Sequence, residues 1–209
     1  MKYDAMALGN HEFDDGIDGL IPFIKNTKPL PVLSCNINAT TEPELQNVLG
    51  KTTILTVGNE KIGIIGYTTP DTAFLVRNVS TLKFNDEIIA IKNQVNQLKN
   101  QGVKILIALG HSGYSKDLEI ARNIPELDVV VGGHTNTFLY TGPNPSNEEA
   151  LDPYPVVVNH TGNQKTLVVQ AFAFGKYLGY LNVNFDDDGN VKSYSGNPIL
   201  LGPDEPEGN

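Results

Sequence analysis

The 209-residue sequence contains one cysteine, no tryptophan and few basic residues, and these shortages exclude several classes of protein. The lone Cys35 cannot form an internal disulfide or a CxxC metal site, and its apolar neighbours favour a small buried residue over a nucleophile. No run approaches the roughly 18 apolar residues that span a bilayer, and the first residues do not form a signal peptide. With 15 basic and 24 acidic residues, the net charge is −9. This charge repels nucleic-acid backbones and anionic membranes, so neither is expected as the main partner.

What is present points to an α/β fold. Apolar residues make up 40% of the chain, enough for a sizeable core, and short apolar runs alternate with helical patterns. The apolar spacing predicts helices over 16–27, between Asn85 and Gly102, and over 115–123, with Asp15 and Asn85 as N-caps. Residues 39–51 are predicted to form a surface loop. The predicted strands are 4–8, 31–36, 53–57, 61–67, 104–109, 129–131, 156–159, 167–172, 180–185 and 191–194.

The chain has only four histidines, His11, His111, His134 and His160, and each follows an apolar predicted strand. In open α/β sheets, ligand sites lie at the carboxyl ends of strands, so several strand-end residues can converge on one crevice. Neutral imidazole is a good ligand for zinc or manganese, and a histidine can also protonate a leaving oxygen. The alternative is that these histidines merely close loops, and spacing alone leaves both interpretations open.

The motifs around three of these histidines resemble those of the 5'-nucleotidase family within the calcineurin-like metallophosphoesterases. The similarity runs almost from end to end and is strongest to animal ecto-5'-nucleotidases and secreted apyrases. The segments that carry it are Gly9-Asn10-His11-Glu12, Gly110-His111-Ser112-Gly113, Gly132-Gly133-His134-Thr135-Asn136, residues 170–179 and Gly196-Asn197-Pro198-Ile199.

The resemblance implies a dinuclear metal site. Asn10, His111 and His134 correspond to three ligands of one metal ion. Asn136 corresponds to a weak amide ligand of the other ion, although a hydrogen-bonding role in its loop is an open alternative. Two divalent ions roughly 3.5–4 Å apart can activate water and clamp a phosphoryl group. Zinc is the expected metal, with manganese, magnesium or cobalt as alternatives.

The resemblance also implies the catalytic residues. His11 corresponds to the histidine that binds the phosphate and stabilises its developing charge, and Asp14 is expected to orient that imidazole. Glu12 is expected to be structural, because a carboxylate facing a phosphate would repel it. His160 matches no motif of the family and is left outside the site.

The family's fold is a four-layer α-β-β-α sandwich, which this sequence is expected to form without its first strands. We interpret residues 1–201 as a partial catalytic domain and 202–209 as the start of a linker to an absent C-terminal nucleotide-binding domain. The family's upstream Asp-x-His and Gly-Asp motifs, which supply the remaining metal ligands, do not occur. The sequence is therefore interpreted as an incomplete copy that is inactive or impaired on its own.

The expected activity of the parent protein is hydrolysis of nucleoside 5'-phosphates, with AMP as substrate and ADP or ATP as further candidates. An extracellular or cell-surface location is implied, and the parent is expected to be membrane-anchored or homodimeric. Two alternatives stay open: an inactive fragment that binds a metal ion or a partner, and a phosphoesterase for another nucleotide ester.

Overall fold

The computed structural model describes residues 2–77 and 79–202, so nearly all of the predicted linker at 202–209 lies outside the described residues. The helices are α1 Gly16–Asn26, α2 Pro43–Val48, α3 Thr72–Leu75, α4 Glu87–Asn100 and α5 Tyr114–Asn123. The strands are β1 Met6–Ala7, β2 Val32–Leu33, β3 Ile37–Asn38, β4 Thr52–Val57, β5 Glu60–Thr68, β6 Lys83–Phe84, β7 Ile105–His111, β8 Val129–Val131, β9 Val156–Asn159, β10 Lys165–Val169, β11 Tyr177–Leu178, β12 Leu181–Phe185, β13 Val191–Gly196 and β14 Ile199–Leu200.

A six-stranded sheet forms the centre of the fold, with strand order β4-β5-β7-β8-β10-β9. Strands β5, β7, β8 and β10 run parallel, and the outer strands β4 and β9 are antiparallel to their neighbours. The carboxyl ends of the four parallel strands therefore meet at one edge of the sheet, whereas the carboxyl end of β9 lies at the opposite edge. This difference in direction decides which strand-end histidines can meet.

The sheet is covered on both faces. Helices α4 and α5 pack on one face through an apolar stripe that includes Ile91, Val95, Leu98 and Ile120, all buried. Such a stripe recurs every three to four residues and is the main source of helix stability in a folded domain. On the other face, apolar residues of β12 line a cavity together with Val129 and Val131 of β8 and other sheet residues. The mixed α/β class is thereby confirmed, with layers of helix, sheet and a small β-hairpin, β12–β13, among the described residues.

A second, smaller core lies beside the carboxyl ends of β5 and β7. It packs α1 and α2 against β1 and β2 around Leu8, Phe13, Leu20 and Leu45, which are all fully buried. Thr68 at the end of β5 joins the two cores, because its Oγ1 donates to Leu8 O at 2.8 Å. This junction places the residues after β1 next to the end of β7.

Several predictions from the sequence are corrected by the structure. Residues 39–51 are not all loop, because α2 begins at Pro43 and buries Leu45. Proline suits the first helical position because its missing N–H would have had no partner there. Asp15 precedes α1 as predicted but makes no side-chain capping hydrogen bond.

The N-cap of α4 is Asp86 and not Asn85. The Asp86 carboxylate accepts from Ile89 N at 2.8 Å, whereas the Asn85 side chain donates to Asn36 O. The first two strands are also shorter than predicted, since β1 and β2 pair with each other over two residues only. No helix of the described residues combines the length and apolar character needed to cross a bilayer.

Candidate metal centre

Three side chains meet at the carboxyl edge of the sheet. Asn10 Oδ1 lies 3.1 Å from His111 Nε2 and 3.1 Å from His134 Nδ1. The two imidazole rings stand edge to face, with centroids 5.0 Å apart. Three of the predicted site residues are thus brought together, although Asn10 and His111 are 101 positions apart in the chain.

The topology explains why these side chains converge. His111 is the last residue of β7, and His134 follows β8, the parallel neighbour of β7. Asn10 follows β1, which the second core places beside β7. A Cβ at Gly9 would lie 3.0 Å from Glu12 Oε2 and 3.1 Å from the His111 ring, tighter than most real contacts, so a larger residue would force these side chains to shift. The glycine that precedes the Asn-His pair therefore allows the backbone to pack against the histidine of another strand.

The surroundings of His111 keep its ring neutral. Burial, with added charge repulsion from the neighbouring rings of His134 and His11, lowers the pKa of His111 from 6.5 to about 4. Because only a neutral imidazole has a free lone pair for a metal ion, His111 is in the ligand-competent form at physiological pH.

The two distances from Asn10 Oδ1 fit either hydrogen bonds or shared coordination of one divalent ion. An ion about 2.1 Å from two ligands, with angles between those of octahedral and tetrahedral coordination, separates these ligands by about 3.0–3.4 Å. The distances of 3.1 Å from Asn10 Oδ1 to both ring nitrogens agree with this range. Among the described residues, no three His, Cys, Asp or Glu side chains form a metal-binding group, and this cluster contains two histidines and one amide.

Asn136 lies on the same loop as His134. It is exposed, lies two residues past His134, and has a positive φ of 53°. Within the part of the chain that the structure describes, its side chain makes no hydrogen bond to the other three residues. Its predicted role as a ligand of a second ion stays a prediction.

His11 and Asp14 form a pair at the rim of the site. His11 begins a 3₁₀ helix, His11–Phe13, and its Nδ1 lies 2.9 Å from Asp14 Oδ2. Both side chains are exposed, with 79% and 58% of their surfaces accessible. Asp14 fixes the Nδ1 side of the ring, which leaves Nε2 as the nitrogen that can contact a bound molecule.

Glu12 hydrogen-bonds the backbone and does not join the pair of His11 and Asp14. Its Oε2 accepts a hydrogen bond from Gly9 N at 2.6 Å, which closes the turn that carries Asn10. The expectation that Glu12 is structural agrees with this contact.

His160 lies at the other end of the sheet. It follows β9, which runs antiparallel to β10, and its Nε2 contacts Thr166 Oγ1 at 2.9 Å. The local pattern of a strand followed by histidine is the same as for His111, so only the direction of the strand separates the two.

A buried polar network beneath His134 did not follow from sequence patterns. Gln170, directly after β10, is only 3% exposed and bonds residues on both sides of His134. It also contacts the buried Asp117 of α5, which accepts from Tyr67 Oη at 2.7 Å. Burial raises the pKa of Asp117 to about 7. No signal marked Gln170 in the sequence, because it falls inside the predicted strand 167–172, whereas β10 ends at Val169.

Glycine at position 132 makes room for this network. A Cβ there would overlap the Asp117 carboxylate, so only glycine allows the chain to pass so close to the acid. The His134 loop therefore packs directly against the buried network of Gln170, Asp117 and Tyr67.

The chain is similar to calcineurin-like phosphoesterases and, over nearly its whole length, to 5'-nucleotidases. The family model described as calcineurin-like phosphoesterase matches residues 1–138. Snake venom 5'-nucleotidase of Crotalus adamanteus is 52% identical over 207 residues, which cover 98% of this chain and 35% of that protein. The chain therefore spans about a third of the length of this curated relative.

Two solved structures have the same fold. The 5'-nucleotidase precursor from Thermus thermophilus superimposes with a TM-score of 0.89 at 39% identity, covering 95% of this chain and 39% of that one. The NAD nucleotidase of Haemophilus influenzae superimposes with a TM-score of 0.86 at 32% identity, covering 96% of this chain and 40% of that one.

Proposed function

The chain belongs to the calcineurin-like phosphoesterase family, and we propose that it is part of a metal-dependent 5'-nucleotidase that hydrolyses nucleoside 5'-monophosphates such as AMP. The observation that carries this proposal is the convergence of Asn10, His111 and His134 on one point. It is supported by the identity of 52% to a snake venom 5'-nucleotidase over nearly the whole chain.

Asn10, His111 and His134 would hold one divalent metal ion. One amide oxygen and two neutral imidazole nitrogens form a donor set that suits zinc, with manganese, magnesium or cobalt as alternatives. When bound, such an ion supplies Lewis-acid chemistry that polarises a phosphoryl oxygen and activates water. In our proposal Asn136 contributes a weak ligand to a second ion.

His11 is proposed to act directly on the substrate. In the imidazolium form both ring nitrogens donate, Nδ1–H to Asp14 and Nε2–H to the phosphate, and the ring offsets the charge that develops there. The Asp14 carboxylate fixes the orientation of the ring. Neither residue is needed to hold the metal ion, so their loss should lower turnover without loss of the ion.

The relatives support a proposal for the substrate and for the location of the protein. AMP is the proposed substrate, with ADP and ATP as further candidates, and nucleotide breakdown is the corresponding role. One relative is a venom protein, which supports an extracellular or cell-surface location for the parent protein. Residues 1–201 are proposed as part of its catalytic domain, and a homodimer or a membrane anchor belongs to the same proposal.

A second candidate is a metal-binding or partner-binding chain without turnover. It is favoured by the absence, within residues 2–77 and 79–202, of any cluster of three His, Cys, Asp or Glu residues that could hold a metal ion. A third candidate is hydrolysis of another nucleotide ester, which the structural likeness to an NAD nucleotidase favours.

Phosphate release with matched metal analysis separates these candidates. The full chain is incubated with zinc and with AMP, ADP or NAD, alone and joined to a relative's segment that contains the Asp-x-His and Gly-Asp motifs. Turnover of AMP by the joined protein, abolished by His111→Ala, supports the 5'-nucleotidase. Turnover of NAD alone supports the third candidate. One bound ion without turnover in either form supports the second.

A further inference from the structure

The loop that carries His134 has an unusual backbone. His134 and Asn136 both adopt positive φ angles, 76° and 53°, within three residues. Non-glycine residues avoid this region because the Cβ approaches the carbonyl oxygen, and they remain there only where their surroundings hold them. The loop therefore needs a restraint close to His134.

Gln170 supplies contacts on both sides of that residue. Its Nε2 donates to Gly133 O at 3.1 Å, before His134, and its Oε1 accepts from Thr137 N, after it. Oε1 is also within 3.4 Å of Thr135 Oγ1. One buried amide thus binds the backbone at both ends of the loop 133–137.

Asp117 determines the orientation of the Gln170 side-chain amide, that is, which side carries its oxygen and which its nitrogen. Its Oδ2 accepts from Gln170 Nε2 at 3.4 Å, on the side where Gly133 O also needs a donor. The opposite side presents only donors, the N–H of Thr137 and the hydroxyl of Thr135. An amide satisfies both sides, whereas a carboxylate would leave acceptor facing acceptor on one of them.

We propose that Gln170 is a positioning residue for the metal centre, which clamps residues 133–137 and holds His134 Nδ1 toward Asn10 Oδ1. This inference rests on the proposed function, in that His134 is taken to be a metal ligand. Residues that orient a ligand from outside typically change metal affinity by about 10- to 100-fold when they are removed.

The test compares Gln170→Met with a control on the same strand. Methionine has nearly the volume of glutamine and makes none of the hydrogen bonds of the Gln170 amide. The control is Thr166→Val, since Thr166 is equally buried on β10 but bonds Leu127 O and His160, far from the metal centre. Both variants lose buried hydrogen bonds, so a purely structural effect is shared between them.

Zinc affinity of the full chain is measured by competition with a chelator, and the visible spectrum is recorded with cobalt in its place. We expect Gln170→Met to bind zinc about 10- to 100-fold more weakly and to change the cobalt spectrum, while Thr166→Val alters neither. Equal affinity and equal spectra for Gln170→Met and the unchanged chain would overturn the inference.

His134→Ala separates this outcome from a failure of the proposed function. If His134→Ala binds zinc as tightly as the unchanged chain, the ligand assignment itself is wrong. If Gln170→Met does not fold, Gln170→Glu is used and the ring resonances of His134 and His160 are compared without metal. A shift confined to His134 supports the clamp, and unchanged His134 resonances contradict it.

Discussion

Asp128 provides a quantitative test of the buried electrostatics of this fold. Its side chain is only 8% exposed, and its Oδ2 accepts from Leu106 N at 2.9 Å. Burial, with added repulsion from Asp186, raises the pKa of Asp128 from 3.8 to about 7, although the Leu106 N–H opposes this shift. The charged form is therefore disfavoured in the folded protein relative to the unfolded chain.

The sign of the effect on stability follows from linkage. A group whose pKa is raised on folding contributes stability below its unfolded pKa, and this contribution is lost as the pH rises through the folded value. Between about pH 4 and pH 7 the free energy of unfolding should fall by about 1.4 kcal/mol per pH unit, to an upper limit of about 4 kcal/mol.

Asp128→Asn should remove this part of the pH dependence. Asparagine keeps an oxygen that can accept from Leu106 N but cannot ionise, so the variant should match the unchanged chain near about pH 4. Near pH 8 it should be more stable, by up to about 4 kcal/mol. Urea denaturation followed by circular dichroism from about pH 4 to pH 8 measures this difference.

The control is Asp18→Asn, which removes an exposed carboxylate from α1. It should leave the pH dependence of the unchanged chain intact, including the part that Asp117 contributes in the same direction. Parallel stability curves for Asp128→Asn and the unchanged chain would refute the argument.

The remaining predictions concern the pair of His11 and Asp14, Gly132 next to the His134 loop, and the N-cap of α4. In an active form of the protein, His11→Ala should lower kcat by about 100-fold or more with metal content unchanged, and Asp14→Asn should do so less severely, as phosphate release and metal analysis will show. A proportional loss of metal would mean that His11 is a ligand. Gly132→Ala should destabilise the fold by about 1–3 kcal/mol in urea denaturation, because its Cβ overlaps the Asp117 carboxylate, and an unchanged midpoint would disprove this. Asp86→Ala should cost about 1 kcal/mol by the same assay through loss of the α4 cap, whereas Asn85→Ala should leave that cap intact.

The sequence predicted the elements whose patterns are local. Strands β4 and β5 and helix α4 follow from apolar spacing alone. Helix α2 was missed because it is short and carries only two apolar side chains after its proline, Leu45 and Val48, so its stability depends on the second core. The lengths of β1 and β2 were overestimated because strand ends are set by pairing partners, which a local pattern does not contain.

The candidate site was predicted from histidine motifs and the family resemblance, whereas the helices and strands were predicted from apolar spacing. Histidines after apolar strands suggested a shared crevice, and the family resemblance separated Asn10, His111 and His134 from His160. The structure adds the reason for that separation, since β9 runs antiparallel and carries His160 to the opposite edge. Gln170 could not be placed from sequence patterns, because its function depends on β10 lying beside β8 in the sheet.

Metal titration of the full chain tests the central claim most directly. Calorimetry with zinc should show one site per chain that is lost in His111→Ala and in His134→Ala and retained in His160→Ala. His160→Ala is the matched control, because that histidine also follows a strand but lies at the other edge of the sheet. Zinc binding that survives loss of both His111 and His134, or that disappears with His160, would contradict the account of this site.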